Sequence, residues 1–81
     1  IHKHVRAADN VDLGDVDKVG NEFIVVREGF ATVHLYYIPK KYIIKYDGSS
    51  LWLNLSSTSA SSKFERKNEP SEEEMEVLLN E

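Results

Sequence analysis

From Leu51 to Leu55 every second residue is leucine, with Trp52 and Asn54 between them. A repeat of two is the repeat of a β-strand, whose successive side chains point to opposite faces. Leu51, Leu53 and Leu55 are therefore expected to point inward, with Asn54 facing out. Trp52 lies on the face opposite the leucines, where it is either an exposed interface anchor or a ring covered by the chain's own C-terminal segment.

Most of the chain has the same texture. His2 to Arg6 alternates weakly and ends at Asp9-Asn10. Leu13 to Val19 has apolar residues at 13, 16 and 19, but Gly14 and the acids at 12, 15 and 17 disfavour a helix, so a strand is expected. Gly20-Asn21 suits a tight primed hairpin turn. Glu22 to Arg27 is β-branched and aromatic, and Glu28-Gly29 turns the chain. Phe30 to Ile38 is the longest candidate strand, with Ala31, Val33, Leu35 and Tyr37 as its inward face and Pro39 as its end. Tyr42 to Tyr46 follows, then a turn at Asp47-Gly48-Ser49. Six short strands at spacings of about eight to twelve residues indicate an all-β sandwich or barrel. A barrel is preferred because closure leaves no edge to template aggregation.

The C-terminal part reads differently. Ser56 to Ser62 is either a linker or a short helix, and the helix is favoured because it places Ala60 and Phe64 on one face. Glu65 to Glu69 is a charged connector. Ser71 with Glu74 forms a capping box after Pro70, and Met75, Leu78 and Leu79 form a narrow apolar stripe. A helix this short is marginal alone in water, so it needs a groove on its own barrel or on a partner. The expected organisation is a β-barrel domain over 1–64 and an acidic connector with a C-terminal helix over 65–81.

Charge and composition narrow the function. Of 10 basic and 14 acidic residues, the part from 65 onward holds seven of the acids, so the body is nearly neutral and the tail acidic. That balance disfavours phosphate-backbone binding by the molecule as a whole. The absence of cysteine excludes disulfides, thiolate nucleophiles and cysteine zinc sites and fits a cytoplasmic setting. No apolar run approaches the roughly 20 residues of a membrane span. The chain begins at Ile1 rather than a methionine, which leaves room for an upstream segment.

Between Leu13 and Ser56 the chain resembles the PRC-barrel family. The resemblance rests on Leu13-Gly14-Asp15-Val16, Tyr37-Ile38-Pro39, Ile43-Ile44, Asp47-Gly48 and Leu51 to Ser56, in that order. It implies a six-stranded PRC-barrel-like fold and a non-catalytic adaptor or scaffold role. Members of that family include short stand-alone archaeal proteins, some of them cell-division adaptors. A protein partner, or a second copy as a homodimer, is the partner class implied. An RNA- or ribosome-associated module and a small-ligand or metal-binding domain are the alternatives.

No residues declare a reaction. Serine, histidine and aspartate are present, but no nucleophile-elbow sequence and no glycine-rich phosphate loop surrounds them. His2 and His4 share a strand face and His34 could join them, yet a metal site needs three or four converging ligands. Asp9, Asp12, Asp15 and Asp17 miss the spacing of a calcium loop. Lys40, Lys41, Tyr42, Lys45 and Tyr46 mix cations with aromatics as nucleic-acid surfaces do, but three lysines without an arginine make a weak patch and a solvated hairpin is the preferred reading. No catalytic, cofactor or metal residue is therefore assigned. Trp52, Met75, Leu78 and Leu79 are the candidate partner-binding residues.

Overall fold

The computed structural model describes residues 3–81. The strands are β1 (His4–Arg6), β2 (Asp12–Val19), β3 (Phe23–Glu28), β4 (His34–Pro39), β5 (Ile43–Tyr46), β6 (Ser50–Leu53) and β7 (Glu65–Arg66). The helices are α1 (Ser57–Phe64) and α2 (Glu72–Leu79), and Lys40–Tyr42 makes one 3-10 turn. All seven strands form one sheet in the order β5-β6-β1-β2-β3-β4-β7. The chain is thus mostly sheet with two short helices. Two expectations are corrected here: there are seven strands rather than six, and the sheet does not close, because β5 and β7 remain as edges.

Leu13 to Val19 forms a strand despite its helical spacing, because irregular pairing absorbs the mismatch. The β1–β2 register shifts at Val5/Arg6, and the β2–β3 register shifts between Val16 and Lys18. Gly14 has φ +117°, and a Cβ there would sit 2.3 Å from the Arg27 carbonyl oxygen. Only glycine lets β2 approach β3 this closely. The Gly20-Asn21 hairpin exists, with the Gly20 amide donating to the Phe23 carbonyl at 2.8 Å. Neither residue has positive φ, however. Three residues join the strands, so the two-residue primed geometry is not used.

The long strand expected from Phe30 is shorter. Gly29, at φ +99°, turns the chain out of the ladder, and pairing resumes only at Glu28 with His34. Phe30 is left 98% exposed, and Ala31 and Val33 are exposed rather than inward. From Tyr36 to Pro39 all four residues are buried, so both faces of β4 are covered. The single inward face expected there is corrected accordingly. Val26 pairs with Tyr36 and Ile24 with Ile38 on one face, while Val25 pairs with Tyr37 on the other.

The leucine strand is oriented as expected. Leu53 and Leu55 are buried, Leu51 is half-buried and Asn54 is exposed. Leu53→Ala should cost about 2–5 kcal/mol in urea melts, and Asn54→Ala under about 0.5 kcal/mol. Equal effects would mean that the register is wrong.

Around the serine run, the helix prevails over the linker. Ser56 Oγ accepts from the Ser59 amide, and Asp9 takes the Ser57 amide (3.0 Å) and hydroxyl (2.6 Å) from across the chain. Those bonds hold the Asp9 carboxyl below its usual range. Ala60 and Phe64 become fully buried. Glu65 and Arg66, expected as connector, pair with Tyr36 and Leu35 and so extend the sheet past the expected boundary at 64.

Candidate functional site

In α2, Ser71 Oγ accepts from the Glu74 amide at 3.2 Å, as a capping box requires. The Glu74 carboxylate does not turn back to complete the box. It accepts instead from Arg66 Nε at 2.7 Å, which ties the helix to β7. At the other end, Lys41 Nζ donates to the Leu79 carbonyl at 2.6 Å, a cation set against the negative end of the helix. The 40–45 hairpin therefore meets the carbonyl end of α2 rather than its glutamates.

Leu78 is 1% exposed and belongs to the core. It is not available as a recognition residue. Met75 and Leu79, half-buried, instead form one wall of a groove of about 610 Å3. Its floor is Phe23, Val25 and Tyr37, and its far wall is the β2–β3 hairpin with Val19, which is 69% exposed. The rim is acidic: Glu22, Glu69, Glu72 and Glu76 surround it, against Lys18. Burial, then Glu69 and Asp17, push the Tyr37 hydroxyl pKa up.

Trp52 does not line this groove. It pairs with Arg6 and Lys45, its Nε1 donates to Asp47 Oδ2 at 2.9 Å, and Lys45 Nζ stands 5.6 Å from its ring. Asp47 also accepts from the Ser49 and Ser50 amides, which with the Trp52 bond hold its carboxyl well below the usual range. Lys3 Nζ lies 4.3 Å from the Tyr46 ring centroid. The lysines of this end are thus already set over rings of their own chain.

Among the described residues, His4 and His34 do not meet. His2 lies outside the described residues. His4 Nδ1 is 3.1 Å from Asp15 and 3.6 Å from Asp12. His34 is on β4, two strands away from β1's nearest neighbour on that side, and its Nδ1 is 2.5 Å from Glu65 Oε2. Among the described residues no three His, Asp or Glu side chains converge as metal ligands.

The His34–Glu65 pair titrates. The Glu65 bond and charge raise the His34 pKa above 6.5, and the His34 and Ser61 bonds lower that of Glu65 below 4.5. The histidine's contribution to stability is complete below its ordinary value and is lost as pH rises through the raised one. The glutamate's is present above its ordinary value and is lost as pH falls through the lowered one. The pair is therefore worth most between 4.5 and 6.5. The melting-temperature gap between wild type and His34→Gln should be widest near the middle of that window and shrink as pH rises through the raised histidine pKa. A gap independent of pH would refute this assignment.

The groove was only half legible in the sequence. Met75 and Leu79 stood out by helical spacing, whereas Val19, Val25 and Tyr37 looked like ordinary strand residues. The available signal was the set 72, 75, 76 and 79, which places two acids and two apolar residues on one helical face. Fold and groove together define a small, open-sheet domain with an acid-rimmed apolar side cleft. Comparison with protein-family models, curated proteins and solved structures returns no match.

Proposed function

We propose that this domain is a non-catalytic protein-binding module, an adaptor or scaffold of the kind the PRC-barrel resemblance implies. The observation that carries the reading is the apolar groove between α2 and the β2–β3 hairpin, walled by Met75, Leu79 and Val19. The stretch that carries the resemblance, Tyr37 to Ser56, runs through β4, the 3-10 turn, β5, the Asp47 turn and β6. The open sheet is where the chain departs from a closed barrel. Cell division and a homodimer rest on the resemblance alone, and a cytoplasmic setting on the lack of cysteine.

An RNA-associated role is the weaker reading, because Lys3 and Lys45 are engaged over Tyr46 and Trp52. Immobilised wild-type domain should retain a protein partner that Val19→Asp loses and Trp52→Ala keeps. Retention lost only in Trp52→Ala would move the site to β6. Retention of nucleic acid with a steep salt slope would replace the reading.

A further inference from the structure

We infer that the groove's occupant is a basic amphipathic helix of a partner protein, which rests on the protein-binding reading above and names the partner's chemistry. Three observations lead there. The first is backbone pairing. β3, which carries Phe23 and Val25 on the groove's floor, is paired along both sides, with β2 and with β4. A ligand laid over that floor meets side chains rather than free backbone groups, as amphipathic helices do in apolar grooves.

The second is charge. Four carboxylates, at 22, 69, 72 and 76, surround an apolar floor with one ammonium, Lys18. Among the described residues, none of the four is held in an ion pair, whereas Glu65 and Glu74 on the β7 side are paired with His34 and Arg66. Unpaired acids around a hydrophobic floor repel one another and attract a ligand that sets Lys or Arg outside an apolar stripe.

The third is shape. Glu72, Met75, Glu76 and Leu79 follow the i, i+3, i+4, i+7 pattern, so one face of α2 alternates acid and apolar along its length. Eight residues span about 12 Å, matching roughly two turns of a partner helix laid alongside. Val19, across the cleft, is the exposed apolar residue that such a helix would cover.

The test uses synthetic peptides of about fourteen residues, long enough to form a helix on binding. One carries leucines at i, i+3, i+4, i+7 spacing with lysines elsewhere. A second replaces lysine by glutamate, and a third scrambles the spacing. Each is titrated into isotope-labelled full chain and followed by amide chemical shifts. The lysine peptide should shift residues 18–25, 37 and 69–79. Its affinity should exceed that of the glutamate peptide by about tenfold or more, and Glu72→Gln with Glu76→Gln should weaken it about three- to tenfold. Val19→Asp should abolish those shifts. If the glutamate or scrambled peptide binds the groove equally well, the basic-helix inference fails while the protein-binding groove stands. If the groove shifts with protein concentration alone, the occupant is a second copy and the inference fails. If every peptide leaves the groove unshifted, both the inference and this siting of the binding function fail.

Discussion

Removing residues 70–81 should unfold most of the population rather than leave a stable sheet. The sequence alone left this helix a groove on its own barrel or on a partner. The structure seats it on its own sheet. Pro70 and Leu78 are buried, Met75 and Leu79 are half-buried, and Tyr37 on the floor beneath them would meet water. Burying one such side chain fully contributes about 1.5–3 kcal/mol, and several are lost at once. The Arg66–Glu74 and Lys41–Leu79 contacts go with them. A domain of this size has on the order of 0.05–0.15 kcal/mol of stability per residue, so the loss is comparable with the whole. Far-ultraviolet circular dichroism and urea melts of the truncated chain test this. A cooperative transition with an unchanged midpoint would show that α2 is peripheral. Leu78→Ala is the point version, expected to cost about 2–5 kcal/mol.

Phe64→Ala should be the most damaging single truncation, at about 3–5 kcal/mol. Its side chain is fully buried at the end of α1, and its ring meets that of Tyr42 at 5.6 Å with a 59° tilt. The substitution removes that aromatic pair and leaves a ring-sized cavity among residues joined through α1, β4 and the 3-10 turn. Phe64→Leu keeps most of the volume and should recover most of the loss. A denaturation midpoint for Phe64→Ala close to that of Asn54→Ala would contradict the packing described.

Several elements were legible because their cause is local. The leucine alternation at 51–55 needs nothing but the period of a strand. Ser71, directly before the acids Glu72 to Glu74, caps α2 with its own hydroxyl, which accepts from the Glu74 amide three residues on. The Asp47-Gly48 turn works by an aspartate bonding amides two and three residues on. Phe64 required a buried site, and the serine run could only supply it as a helix. Each of these rests on residues within a few positions of one another.

What failed was wherever a distant residue decided. Phe30 to Val33 has strand-forming residues, but Gly29 and the Glu28–His34 register exclude them from the ladder. Glu65 and Arg66 are charged and looked like connector, yet the exposed edge of β4 recruits them. Leu78 was grouped with Met75 and Leu79 by spacing, although only Leu78 faces the core and the other two face the cleft.

By itself, then, the sequence determined that this chain is rich in short strands, where its main turns fall, and that a capped acidic helix ends it. Only the tertiary structure decided that the sheet stays open, that α2 is part of the core, and that an acid-rimmed apolar cleft lies between it and the β2–β3 hairpin. Alternation, turn chemistry and capping act through neighbours along the chain. Closure, docking and a cleft are set by which surfaces far apart in sequence bury the most apolar area together, and no local pattern carries that information.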